Sequence, residues 1–370
     1  MINSIKKKLQ HLYRKIIYSL FTKLYGKIKG VYDDSEKNRL KVHKINMDQN
    51  TNYRIFEINK SVLYTDRIHD TAIIIDQFVV DGASFQLRNN KNDTCDKNIV
   101  FEKGTPRIKK KLNGSVMSLL TGGGGNSNYW HWLFDVIPRI GIVEKKIKLE
   151  NIDYFLLPSL SEKFQKETLD FLQIPNEKRI SSKDFRHIEA KKIIVTDHPY
   201  NLLNDPSKDS VNIPKWLILF LKDKFRLNDN ERKNKYPKKF FIDRSDSKSN
   251  IKNLRKITNE LEVKNELKKR GYESLRLSDF HFTDQIKLFN NAENIIGLHG
   301  AGFANLIFCK SKTKIIEFQV NTPLQMYKNL SLKCDLNYDS INVQSKTTHE
   351  NKQLGEFEIP IEELKDKIPY

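Results

Sequence analysis

The stretch "ENIIGLHGAGFANLIF" (293–308) decides the fold. The short apolar run Ile295-Ile296-Gly297-Leu298 reads as a buried strand. Gly300 and Gly302 then allow a tight turn. "AGFANLIFC" (301–309) reads as the helix that follows. A strand, a glycine turn and a helix in immediate succession form the repeating unit of a parallel α/β sheet. The same alternation runs upstream. "KFFID" (239–243) is a strand, and "LRKITNELEVKNELKKRG" (254–271) is a helix stopped by Gly271. "YESLRL" (272–277) is a strand, and "SDFHFTDQIKLFNNA" (278–292) is a helix for Ser278 or Asp279 to cap. Downstream, "TKIIEF" (313–318) adds another strand. The spacing predicts a doubly wound α/β domain.

In such a sheet, ligands bind beyond the carboxyl ends of the strands. His299 sits at that edge, and Asn305 lies one turn into the predicted helix. A helix N-terminus offers unpaired N–H groups and partial positive charge, which suits a diphosphate. Arg244 directly follows the strand 239–243, and Arg255 opens the next predicted helix, with Asn259 and Glu260 one turn on. Two arginines at one sheet edge can clamp phosphates. The plainer alternatives are an ordinary glycine turn and a set of surface ion pairs. The pattern is neither G-x-G-x-x-G nor a Walker loop.

A second stretch, "TGGGGNSNYWHWLFDVIPR" (121–139), runs four glycines into a dense aromatic segment. With Asn126 or Ser127 as cap, Asn128, His131 and Asp135 share one helix face. Trp130, Leu133, Phe134 and Ile137 take the buried side, and Pro138 ends or kinks the helix. A histidine with an aspartate one turn away is an oriented general base. It is equally a common structural hydrogen bond near a helix start.

The rest of the N-terminal half also alternates. "TAIIIDQFVV" (71–80) is a strand pair or one long strand, "IDYFLLP" (152–158) and "KKIIVTD" (191–197) are strands, and "EKFQKETLDFLQI" (162–174) is an amphipathic helix. The polar segment 199–238, with one helix near 214–225, reads as a linker. A chain of 370 residues holds about two domains. The net charge of +19 favours anionic partners: nucleic acid, anionic lipid or phosphorylated small molecules. Residues 1–30 read as one basic amphipathic helix, which can lie on an anionic membrane or pack on the body with a solvated lysine face. Nothing approaches the ~20 apolar residues of a membrane span. "IIYSLF" (16–21) is too short for a signal peptide. Cys95, Cys309 and Cys334 are scattered without zinc spacing, and a reducing compartment fits them. That spacing gives no reason to expect a structural metal, and because no D-x-D occurs a metal-held nucleotide is not expected.

Taken together, "NYWHWLFDVIPRI" (128–140), "FIDRSDSKSNIKNLRKITNELEV" (241–263), "DFHFTDQIKLFNNAENIIGLHGAGFANLIF" (279–308) and "IIEF" (315–318) resemble glycosyltransferase family 61 in content, order and spacing. That family groups eukaryotic O-linked N-acetylglucosaminyl- and xylosyltransferases with bacterial capsular polysaccharide proteins. The resemblance covers roughly residues 110–320. It implies a GT-B fold: two Rossmann-like domains facing a cleft, here behind an N-terminal basic amphipathic helix. It implies inverting transfer of a hexosyl or pentosyl unit from a nucleotide-sugar, UDP-linked, without cofactor or metal. The domains expected are helix 1–30, acceptor-side domain 31–213, nucleotide-sugar domain 214–345, and a tail 346–370 packing back on the N-terminal domain.

By the same resemblance Arg244, Arg255, His299, Gly300, Ala301, Gly302 and Asn305 hold the diphosphate. Glu317 meets the ribose or base, and Glu260 binds donor or fixes Arg255. Asn128 and Trp130 lie on the acceptor side, and His131 or Asp135 is the base, the choice between them left open. The acceptor expected is a glycan, lipid-linked, in the cytoplasm at the inner membrane face, with no nucleic acid involved. Two other readings compete: a basic nucleic-acid-binding protein, and a catalytically inactive sugar-nucleotide-binding scaffold.

Overall fold

The structure is a computed structural model. It describes residues 2–33, 38–48, 51–67, 70–88, 91–92, 95–120, 127–200, 209–227, 236–245, 255–320, 325–343, 345 and 355–368. The glycine run Gly122–Gly125 and the proposed cap Asn126 lie outside these residues. The chain divides into two units, Met1–Asp209 and Ser210–Tyr370. The division falls inside the polar segment read as a linker.

The second unit is built on five strands in the order Glu273–Arg276, Lys239–Asp243, Asn294–Leu298, Lys314–Val320, Asn337–Val343. Every pairing between them is parallel. In chain order this is 2-1-3-4-5, a doubly wound arrangement whose direction reverses between the first and third strands. Side chains alternate between two buried faces. On one face Phe241, Ile296, Leu298, Ile316, Phe318 and Ile341 pack under Val263 and Leu267 of helix Glu260–Lys269. On the other, Phe240 meets Phe289 edge-on at 5.3 Å, and Phe282 meets Phe225 at 4.8 Å. Both faces of the central strands are covered, which is why Phe240–Ile242 and Ile295–Leu298 read as apolar runs; the edge strand Glu273–Arg276 is mostly exposed and polar.

The tail differs from expectation. Its described part, 355–368, builds into the second unit. Glu356–Phe357 pairs in parallel with Lys256–Ile257. Phe357, Ile359, Leu364 and Ile368 join the same apolar cluster as Val263.

The first unit carries a mixed sheet. One half is antiparallel: the seventeen-residue strand Thr51–Arg67 pairs with Leu40–Asp48, with Asp70–Ile75 and with His187–Thr196. The other half is parallel: His187–Thr196, Lys110–Ser118, Tyr154–Leu157 and Arg179–Ser181 lie side by side. The parallel half is what a Rossmann-like domain asks for; the antiparallel half is not. "TAIIIDQFVV" resolves into a hairpin, Asp70–Ile75 and Phe78–Val79. Asp76 and Gln77 form its two-residue turn, both at positive φ (47° and 74°), the backbone that matches strand twist.

Four local expectations change. The helix expected at 254–271 starts only at Glu260, because Lys256–Ile257 is a strand and Arg255 adopts φ 48°. The helix expected at 301–309 takes the tighter 3-10 form over Ala301–Phe308. His281, not Ser278 or Asp279, caps helix Phe282–Asn291. The aromatic helix is interrupted: Tyr129–His131 is α, Trp132–Val136 is a π-turn, and Pro138–Glu144 is α again. In that turn Ile137 N donates to Trp132 O, an i to i−5 bond. Pro138 then takes the first position of the next helix, where its missing N–H costs nothing.

Candidate functional site

In the second unit, the residues singled out from sequence gather at the carboxyl edge of the strands. Arg244 follows strand Lys239–Asp243, and His299 follows strand Asn294–Leu298. These are the strands between which the order reverses. Arg244 Nη1 donates to the His299 carbonyl at 2.7 Å, and Arg255 Nη1 donates to the same oxygen at 2.6 Å. Two guanidinium groups therefore converge on one backbone carbonyl. Burial pushes the Arg255 guanidinium down to about 10, and the charge of Arg244 pushes the same way.

The glycines serve this convergence. Gly300 has extended backbone, which any residue adopts, so its conformation does not call for glycine. Its space does: a Cβ there would stand 3.0 Å from Arg244 Nη1. At Gly302 a Cβ would come within 2.7 Å of Leu277 Cδ1. Ala301 between them is partly exposed.

His299 and Glu317 are both buried, and His299 Nδ1 donates to Glu317 Oε1. Tyr338 Oη donates to Glu317 Oε2 at 2.6 Å. Tyr327, also buried, donates to the Gly300 carbonyl at 2.6 Å, its ring 4.9 Å from that of His299. Glu317 thus acts inside the fold as the anchor of His299. Asn305 is fully buried and donates to Gln285 Oε1 at 2.9 Å. Glu260 does not fix Arg255; its carboxylate pairs with Lys264 at 2.7 Å, and Lys264 also holds Asp243.

In the first unit, Asn128 is itself the helix cap. Its Oδ1 accepts from Trp130 N at 2.9 Å and His131 N at 3.4 Å, so neither Asn126 nor Ser127 is needed. Trp130 is buried, stacked on Phe134 at 4.1 Å. His131 Nδ1 bonds Asp135 Oδ2 at 2.8 Å. The two side chains differ sharply in access: that of His131 is 47% exposed and that of Asp135 is 4%. Burial alone would raise the Asp135 carboxyl, but His131 and His198 outweigh it and hold it well below the usual carboxylate range. The Asp135 charge in turn raises the His131 imidazole.

Three neighbours of this pair carry no signal in the spacing that found it. His198 Nε2 lies 3.7 Å from Asp135 Oδ2. Tyr200 N donates to His198 Nδ1 at 3.3 Å, so the proton of that imidazole sits on Nε2, towards Asp135. Burial lowers His198. Burial raises the Tyr200 phenol, with the Asp135 charge adding to it. Arg139 is fully buried. Its Nε donates to the Asp135 carbonyl at 2.7 Å and its Nη1 to the Thr196 carbonyl at 3.3 Å, tying the π-turn to the end of strand His187–Thr196. Among the described residues, Asp135 Oδ1 and Arg139 Nη2 are buried without a hydrogen-bond partner. The "TDHPY" segment (196–200) that supplies two of these residues follows a strand, the one hint the sequence offers.

Among the described residues no group of three or more His, Cys, Asp or Glu is placed to hold a metal ion, and no helix is long and apolar enough to cross a membrane. The first unit therefore presents an aspartate-backed imidazole, and the second a pair of converging arginines at a sheet switch point. No curated protein matches the chain. The model of glycosyltransferase family 61 matches residues 129–316, just over half of the chain, and spans both groups of residues. The chain belongs to glycosyltransferase family 61.

Proposed function

We propose that this glycosyltransferase is inverting and metal-independent, and moves a sugar from a UDP-sugar to a hydroxyl of a glycan acceptor. The reading places it in capsule or other surface polysaccharide synthesis, in the cytoplasm at the inner membrane face, on a lipid-linked glycan. It assigns the donor to the second unit and the acceptor to the first, as in a GT-B enzyme. The observation that carries it is the convergence of Arg244 and Arg255 on the His299 carbonyl at the switch point. Together they suit the charge that develops on a departing diphosphate. The start of the 3-10 helix at Ala301 adds backbone N–H groups at the same edge.

The same reading resolves the base. Asp135 is buried and its Oδ2 already holds His131 Nδ1, so it orients rather than attacks. With Nδ1 protonated, Nε2 of the half-exposed His131 is the basic atom. It takes the acceptor hydroxyl proton as that oxygen bonds the anomeric carbon; the bond from carbon to diphosphate breaks, and the negative charge goes to the phosphate oxygens. His198 lies beside the Asp135 carboxylate, and Arg139 holds the Asp135 main-chain carbonyl.

The test is thermal stabilisation by UDP-, GDP-, CMP- and dTDP-sugars, with and without EDTA. A ligand at a hundred times its Kd adds about 2.7 kcal/mol. UDP-sugars should raise the melting temperature in EDTA, and Arg244→Ala or Arg255→Ala should abolish the rise. Loss of the rise in EDTA would end the metal-independent reading. Equal stabilisation of the arginine variants would end the site assignment.

A further inference from the structure

Among its described side chains, those of helix Ile2–Tyr25 that are partly buried lie along one edge. Ile17, Tyr18, Phe21, Thr22 and Tyr25 are partly buried, while residues 9–16 are all exposed. The attachment sits at its C-terminal end. Tyr25 Oη accepts from Lys109 N at 3.0 Å, and its ring stands edge-on to His187 at 4.9 Å. Gly26 then ends the helix at φ +86°, its N–H donating to the Thr22 carbonyl at 2.9 Å.

Six of the side chains the helix leaves outside are large and apolar. Leu9, Leu12, Tyr13, Ile16, Leu20 and Leu24 are each between 57% and 66% exposed. At 100° per residue these six positions fall within roughly 120° of arc, one stripe that holds Lys23 as its single cation among residues 9–25. It is not the edge that meets the body. Single exposed apolar residues are ordinary; six aligned on one helix are an interaction surface. The charge around the stripe is of one sign. Between Met1 and Tyr32 there are eight Lys and Arg and no Asp or Glu. Arg14, Lys15 and Lys23 are exposed on the helix, with Lys27 and Lys29 just beyond it.

We propose that this helix docks in the plane of an anionic lipid bilayer, the stripe inserted among acyl chains and the cations on lipid phosphates. The charge selects this occupant. A second copy of the chain laid stripe to stripe would bring two sets of eight cations together, whereas an anionic surface neutralises them. The depth is interfacial, since no helix among the described residues is long and apolar enough to span.

The test uses the full chain and vesicle flotation, which needs neither donor nor turnover, so it stands or falls separately from the transfer reaction. Vesicles containing phosphatidylglycerol should bind the protein at least about tenfold more tightly than phosphatidylcholine alone, with binding weakened by salt. Combined Leu12→Ser, Ile16→Ser and Leu20→Ser should reduce binding about tenfold or more, and an unchanged melting temperature would show that the fold survives. Lys15→Gln with Lys23→Gln should weaken the preference for the anionic vesicles. Equal binding to both vesicle types, no binding to either, or a triple variant that binds like the parent would overturn the proposal. So would light scattering that shows a dimer dispersed by the triple variant, which would give the stripe to a second copy.

Discussion

At the residue scale the first unit turns on which of two adjacent side chains can meet a substrate. His131 and Asp135 were equivalent as spacing. Burial separates them, because only the imidazole keeps an exposed nitrogen while the carboxylate is enclosed by His131, His198 and the π-turn. The pH behaviour follows. The Asp135 charge raises His131, and a general base works in its neutral form. Asp135→Asn should therefore move the acidic limb of the kcat/KM profile to lower pH, and His131→Ala should cost about 10²–10⁴ in kcat with donor binding retained. The linked stability has two limits. The raised His131 stabilises the fold below its unfolded value of about 6.5, and that contribution is lost as pH rises through the folded value. The lowered Asp135 stabilises above about 3.8, and that is lost as pH falls through its folded value. The melting-temperature gap between parent and Asp135→Asn should thus be widest at mildly acidic pH and narrow towards alkaline pH. A gap that grows above neutrality would contradict the pairing.

At the element scale, strand type was legible and helix detail was not. The central strands of the second unit are buried on both faces, so Phe240–Ile242 and Ile295–Leu298 stand out as apolar runs whatever surrounds them, and Ile315–Phe318 does so but for the buried Glu317. Where helices begin depends on competing partners. The first residues of "LRKITNELEVKNELKKRG" pass as helix formers, yet Lys256 and Ile257 are taken by Glu356 and Phe357, a hundred residues away. The turn at Gly300 likewise reads as a ligand loop from sequence, while the atom nearest its missing Cβ belongs to Arg244. Gly300→Ala should therefore displace that guanidinium. We expect donor binding weakened about tenfold, the value of one charge-assisted hydrogen bond, with little change in melting temperature. Unchanged binding, read by thermal shift with UDP-sugars, would show that Arg244 does not depend on the glycine.

At the scale of the whole molecule, the second unit is not closed by its five strands. Phe357, Ile359, Leu364 and Ile368 finish the face that Val263 and Leu267 begin. Burying four such side chains contributes on the order of 6–12 kcal/mol as an upper estimate, comparable with the entire stability of a domain. A chain ending before Gly355 should lose the cooperative melting and protease resistance of residues 236–343. Full resistance in that truncation would show the tail to be an accessory.

The sequence by itself determined the doubly wound domain, its glycine turn, the arginines and histidine at its edge, and the His131–Asp135 spacing. Those signals are local: apolar period, glycine and short-range spacing are visible within some twenty residues. Only the tertiary structure decided that Glu317 anchors His299, that Asn305 is buried against Gln285, that Tyr327 closes on Gly300, and that His198 and Arg139 flank Asp135. Each of these joins elements distant in sequence or depends on how deeply a group is buried. Packing sets both, and no short window of sequence contains it.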